Sequence, residues 1–266
     1  MQAFATPEQA FHEALKAKGG VDLGTSIMAC RFNGGVVCGS DSRTSTGSYV
    51  ANRITDKLTQ LTPNIYVCRS GSSADTQILS DYVRYFLEMH SLELDNRCSV
   101  YTAAHMLGDL AYQYKEQMQT SFLVAGVDST GPHIFCVPLG SPVIEEPWSI
   151  GGSGSSYIYG HCDATYRENM TQDECIQFVT NALSLAMQRD GSSGGVIRLA
   201  VMTNDFKVER RLITDPPSFS RASTACKTAR RRLGLLSPPA LSPSLVFLPR
   251  FPLFVVSAPG RAARSP

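Results

Sequence analysis

Asn33-Gly34 lies between two short apolar runs, Ser26–Phe32 and Gly35–Asp41. An Asn-Gly pair is a favoured two-residue hairpin loop because both residues tolerate the positive φ of a type I′ turn, so the two runs must lie antiparallel. That constraint removes all-parallel architectures at the outset. Strand-like runs continue at Asn52–Leu61 and Asn64–Ser70. Helical spacing follows from about Ala74 to His90, with Ile78, Tyr82, Tyr85, Phe86 and Met89 along one face. It recurs over Val100–Gln117, with Ala103, Met106, Leu107, Leu110 and Tyr114. Strand signals return at Ser121–Val127, His133–Leu139 and Val143–Ile150. Thr171 and Glu174 have the spacing of a capping box, opening a helix whose apolar face reads Ile176, Val179, Leu183 and Met187. Gly191–Gly195 ends it, and Val196–Met202 and Lys207–Ile213 are the closing strands. Segregated blocks of strands and helices predict an α+β fold of stacked layers, a four-layer αββα sandwich of two antiparallel sheets between helices. Periodicity alone leaves other α+β arrangements open.

The flanks differ from this body. Residues 1–24 mix charges of both signs, contain Gly19-Gly20 and end on Gly24, and read as a leader without the apolar core of a secretory signal. Residues 216–266 carry eight Arg or Lys, no Asp or Glu, and nine of the fifteen prolines, and read as a poorly ordered basic tail. Its Arg230-Arg231-Arg232 triplet reads first as a solvated charge cluster, with a nuclear-import signal or an assembly contact as the alternatives. A formal net charge of +1 gives no reason to expect nucleic-acid or membrane-surface binding. Eight cysteines occur without a CxxC pair, which argues against a zinc ribbon and for buried, reduced thiols in the cytoplasm or nucleus.

Two familiar catalytic signatures are missing: the chain has no phosphate-binding P-loop and no H-E-x-x-H. One step in the sequence suggests a different chemistry. If the bond after Gly24 were cut, Thr25 would become an N-terminus and gain its own α-amine as a base. An α-amine has a pKa of ~7.7–8.0, so much of it can be neutral near pH 7 and can take the hydroxyl proton directly or through a water. No metal or organic cofactor is then needed.

Six stretches downstream share an order with one family: Gly24-Thr25, Gly39-Ser40-Asp41-Ser42-Arg43, Asp56-Lys57-Leu58, Ser70-Gly71-Ser72, Gly151-Gly152-Ser153-Gly154-Ser155 and Asp190-Gly191-Ser192-Ser193-Gly194-Gly195. Over roughly residues 24–213 the chain resembles the proteasome beta subunits, which are N-terminal-nucleophile hydrolases. Ser42–Asn52 and Tyr157–Arg167 are most similar to the caspase-like branch, which cuts after acidic residues. The resemblance implies Thr25 as nucleophile, Lys57 beside its hydroxyl, and Asp41 orienting Lys57. It implies Ser153, Asp190 and Ser193 around the terminal amine, and the Gly71 N–H as oxyanion donor. Arg69 would receive the acidic side chain of the substrate, in a pocket with Thr44 and Thr55. The Gly24–Thr25 bond would be cut by Thr25 itself, so that residues 1–24 are a propeptide, 25–215 the catalytic domain and 216–266 a tail. Implied partners are other alpha and beta subunits in stacked seven-membered rings, and unfolded polypeptides as substrates, in cytoplasm and nucleus.

Each residue also has an ordinary role open to it: Asp41–Lys57 as a plain ion pair, Ser153 and Asp190 as caps, Arg69 as a surface charge. The alternative for the whole chain is a ring subunit that assembles without cutting. Departures from the family pattern are Ser26 where a second Thr is usual, and Cys30, Arg31, Asn33, Cys38 and His161. Beyond Asp215-Pro216-Pro217-Ser218-Phe219 the family likeness ends.

Overall fold

The computed structural model describes residues 24–94, 98–140 and 142–217. The expectations for the leader upstream of Gly24 and for the basic tail from residue 218 onward lie outside the described residues.

The Asn33-Gly34 turn joins β1 (Ile27–Phe32) to β2 (Gly35–Ser40) in an antiparallel hairpin, with Phe32 opposite Gly35 and Ile27 opposite Ser40. A small ribbon follows, β3 (Thr44–Thr46) with β4 (Tyr49–Asn52). Next come β5 (Leu58–Thr62), β6 (Ile65–Gly71), helix α1 (Ser73–Leu94) and helix α2 (Val100–Gln113). Then follow β7 (Thr120–Asp128), β8 (Gly131–Val137), β9 (Ile144–Glu145) and β10 (Trp148–Gly151). A 3₁₀ turn (Ser153–Tyr157) leads to helices α3 (Tyr159–Thr165) and α4 (Gln172–Arg189), and β11 (Ile197–Thr203) and β12 (Val208–Ile213) complete the fold.

Two five-stranded antiparallel sheets result, ordered β10-β1-β2-β11-β12 and β5-β6-β7-β8-β9. Alternation along the strands sorts the core into three apolar layers. Ile27, Ala29, Cys38 and Ala200 of the first sheet meet Leu58, Cys68, Leu123 and Ala125 of the second. This middle layer mixes small side chains (Ala29, Cys38, Cys68, Ala125, Ala200) with larger ones such as Tyr66, Ile134 and Met202. Met28, Val37 and Leu199 point the other way, onto Val179 and Leu183 of α4. Val67, Phe122 and Val124 pack against Leu79, Val83 and Leu87 of α1 and Leu107 of α2. Three apolar layers between four structural ones make the αββα sandwich that the periodicity predicts.

Four details differ from the sequence reading. Asn52–Leu61 is not one strand: β4 ends at Asn52 and β5 begins at Leu58, with an irregular link between. Val143–Ile150 is likewise two strands in different sheets, β9 paired with β8 and β10 with β1. Pro147 marks the crossing; it has no N–H to continue a ladder, while its carbonyl accepts from Arg31 N–H. Helix α2 stops at Gln113 rather than Gln117, and Tyr114 caps it. Helix α1 buries a different face from the one expected. Tyr82 and Tyr85 are 57% and 59% exposed, and Ile78, Phe86 and Met89 are exposed too. The buried stripe is Thr76, Leu79, Ser80, Val83 and Leu87. Ser80 and Thr76 enter it because their hydroxyls donate within the helix, Ser80 Oγ to Thr76 O at 2.7 Å. The capping box of α4 forms as expected, Glu174 accepting from Thr171 N–H and Thr171 from Glu174 N–H.

Candidate active site

The ends of both sheets meet at one cleft. From the first sheet come Gly24 and Thr25 just before β1, Asp41 just after β2, and Ser153 just after β10. The second contributes Lys57 immediately before β5, with Arg69 and Gly71 near the end of β6. Asp190 caps α4, and Ser193 lies on the way to β11. Gly24, Thr25, Thr44, Thr55, Lys57, Arg69 and Gly71 line the cleft, together with Ser45, Ser73 and Thr76.

At its centre Lys57 Nζ lies 3.0 Å from Thr25 Oγ1 and 2.6 Å from Asp41 Oδ1. Thr25 and Lys57 are 4% and 6% exposed, and Asp41 is fully buried. Burial drives the Lys57 amine below the ordinary lysine range, since it disfavours the charged form, and the Asp41 carboxylate opposes that by pairing with it. Asp41 is itself held by Ser26 N–H at 3.0 Å on Oδ1, and by Arg43 N–H and Gly194 N–H, each at 3.1 Å, on Oδ2. Such convergence of donors compensates a charge removed from water.

A second cluster surrounds the Thr25 nitrogen, which donates to Ser153 Oγ at 3.1 Å. Ser153 Oγ and Ser193 Oγ both donate to Asp190 Oδ2, at 2.7 and 2.6 Å, and Ser192 N–H donates to Asp190 Oδ1 at 3.0 Å. The Thr25 carbonyl accepts from Gly154 N–H at 3.1 Å. The turn carrying those groups requires Gly152: its φ is +83°, and a Cβ there would come 2.1 Å from Thr25 O.

The Gly24–Thr25 bond is intact. Thr25 Oγ1 donates to Gly24 O at 2.6 Å, and Lys57 Nζ reaches the same oxygen at 3.3 Å. The structure gives a reason for glycine at position 24: Gly24 does not have a positive φ, but a Cβ would come within 1.8 Å of Ser192 Cβ and 2.6 Å of Ser192 O. The constraint is space rather than backbone conformation.

In the cleft wall, the Thr44 and Thr55 hydroxyls are 2.8 Å apart. Arg69 is buried, donating from Nη2 to Asp56 O at 2.9 Å, while its Nε has no hydrogen-bond partner among the described residues. The structure thus brings every expected site residue to one cleft or its immediate support. Sequence reasoning gave no role to Arg43 or Ser192, though both fall inside quoted stretches, and noted Ser26 only as a departure. Arg43 fixes Asp41 through its N–H and reaches Gly191 O at 2.9 Å with its guanidinium.

A family model described as Proteasome subunit matches residues 21–202. The chain belongs to the proteasome subunit family. Its relatives place it among the beta subunits. Proteasome subunit beta type-6 of Dictyostelium discoideum is 54% identical over 194 residues, covering 73% of this chain and 90% of the relative. The Arabidopsis thaliana beta type-6 subunit is 52% identical over 184 residues, covering 69% and 79%. Proteasome subunit beta type-9 of Rattus norvegicus is 48% identical over 203 residues, covering 76% and 92%. A proteasome beta subunit assembles with other proteasome subunits, so the fold described above is one component of a larger particle.

Proposed function

We propose that this beta subunit is a threonine endopeptidase that frees its own nucleophile and cuts unfolded chains after acidic residues. The contact that carries the reading is Lys57 Nζ at 3.0 Å from Thr25 Oγ1, with Gly24 O beside both. In the intact chain the Thr25 nitrogen is an amide and no base. Lys57, its pKa lowered by burial, is the group nearest Oγ1 that can exchange a proton. Oγ1 attacks the Gly24 carbonyl carbon, the C–N bond breaks as the nitrogen takes a proton, and the leader is left as an ester on Oγ1. Water hydrolyses that ester, giving a leader carboxylate and a free α-amine on Thr25.

Peptide hydrolysis then reuses the oxygen with a new base. The neutral amine takes the Oγ1 proton as Oγ1 attacks the substrate carbonyl, and returns it to the leaving nitrogen; water releases the acyl group. Lys57 with its positive charge favours the forming alkoxide, and the Gly71 N–H serves as oxyanion donor, a contact worth ~2.7–4 kcal/mol in comparable sites. The buried Arg69 fits a carboxylate through a planar, bidentate pair, which supports an acidic residue before the cut. The surrounding assembly is a stack of seven-membered alpha and beta rings enclosing the site.

The experiment is mass spectrometry of the subunit in purified particles together with peptide hydrolysis. Wild type is expected to begin at Thr25 and to cut after Glu. Thr25→Ala is expected to keep its leader and to lose activity, leaving only trimming by a neighbouring active subunit. Wild-type particles that retain the leader and hydrolyse no peptide would make this a structural ring subunit instead. An Arg69→Leu particle is expected to lose at least about 10-fold in kcat/KM for acidic peptides while keeping its processed end. Unchanged cleavage after Glu in that variant would remove the specificity assignment alone.

A further inference from the structure

Ser26 touches both halves of the site. Its N–H donates at 3.0 Å to Asp41 Oδ1, the oxygen that also receives Lys57 Nζ. Its hydroxyl, in a fully buried position, lies 2.8 Å from Ser193 Oγ. Proton counting fixes the direction of that second bond. A carboxylate only accepts, and each serine hydroxyl has one proton to give. Ser193 gives its proton to Asp190 Oδ2 at 2.6 Å, and Ser153 gives its own to the same oxygen at 2.7 Å. Ser193 Oγ must therefore accept from Ser26, and Ser153 Oγ accepts from the Thr25 nitrogen at 3.1 Å. Two donor chains converge on one carboxylate oxygen, one from the Thr25 nitrogen through Ser153 and one from Ser26 through Ser193.

We propose that Ser26 is a positioning residue for the Thr25 amine, acting through Ser193 and Asp190. The inference rests on the enzyme reading above. Donors in series polarise one another, so a hydroxyl that accepts a hydrogen bond donates a stronger one. With Ser26 in place, Ser193 draws more charge from Asp190, Ser153 is pulled less strongly, and the amine gives up its proton more readily. Without the Ser26 hydroxyl, Asp190 keeps more charge for Ser153, the ammonium form of Thr25 is favoured, and the base is spent at higher pH. The other charged groups around the amine are Lys57, Asp41, Arg43, Asp190 and the cleft-lining Arg69. All of them stay in place when only position 26 is changed.

The test uses assembled particles carrying wild type, Ser26→Ala, Ser26→Thr or Ser26→Val, with kcat and KM measured on an acidic peptide across pH. Thr and Val share a shape and differ by the hydroxyl, so that pair separates hydrogen bonding from packing. Relative to Ser26→Thr, Ser26→Val is expected to move the acid limb of kcat/KM upward by about 0.3 to 0.5 pH units, lowering kcat/KM by about 2- to 3-fold on that limb with KM unchanged. Ser26→Ala is expected to show the same upward shift relative to wild type. Superimposable acid limbs for Thr and Val, or for Ala and wild type, would overturn the role of Ser26 while leaving the enzyme reading intact. If Thr and Val are both inactive, the Ala comparison decides. Wild-type particles that keep the leader and hydrolyse nothing overturn the enzyme reading and this one with it.

Discussion

Lys57 sits between opposing electrostatic demands. Burial lowers its pKa while Asp41, 2.6 Å away, raises it, and burial prevails. If its ammonium form supports the alkoxide, activity falls as pH rises through that lowered pKa. The basic limb of the pH–kcat profile is therefore expected below the ordinary lysine value of 10.5. Asp41→Asn removes the opposing charge and is expected to bring the basic limb lower still and cut kcat by at least about 100-fold; a basic limb unmoved by that change would separate Lys57 from the chemistry. Thr25, Asp41 and Lys57 were legible in the sequence because their neighbours form recognisable stretches. Ser26 was not, because its importance lies in a hydrogen bond to Ser193, 167 positions away, that no local pattern announces.

At the scale of elements, periodicity located the long strands and the three long helices, passed over the β3–β4 ribbon and helix α3, and misjudged what some elements face. Helix α1 is the clearest case. Its aromatic stripe at Tyr82, Tyr85, Phe86 and Met89 dominates the pattern, yet the sheet receives Leu79, Val83 and Leu87, one step around the helix. Serine and threonine weakened the true stripe in the sequence, although Ser80 is satisfied within the helix and costs little to bury. Leu87→Ala is expected to lower stability by about 2–5 kcal/mol, and Tyr85→Ala by less than about 0.5 kcal/mol. Chemical denaturation of the isolated subunit measures both; a larger loss for Tyr85→Ala than for Leu87→Ala would mean that the faces have been exchanged. The β9–β10 step was illegible for another reason: an apolar run looks the same whether it stays in one sheet or crosses at Pro147 into the other.

In the whole molecule the site spans the junction of the two sheets. Thr25 and Asp41 lie at the end of one, Lys57, Arg69 and Gly71 at the end of the other, and a single apolar layer lies between them. Lys57 meets Asp41 and Thr25 across that layer, so the spacing of the sheets sets both contacts. Leu123→Ala in the middle layer and Leu183→Ala on the buried face of α4 remove the same atoms from equally buried positions. Both are expected to destabilise by about 2–5 kcal/mol. In particles that remain folded, Leu123→Ala is expected to lower kcat/KM roughly 10-fold more than Leu183→Ala, because small displacements of reacting groups are costly. Equal kinetic effects would deny any special link between sheet spacing and chemistry. Thr25 and Asp41 flank the first hairpin and lie close in sequence, whereas Lys57 arrives from the other sheet. The hydroxyl therefore meets its ammonium neighbour only once both slabs are in place, and neither half of the sandwich holds that contact alone.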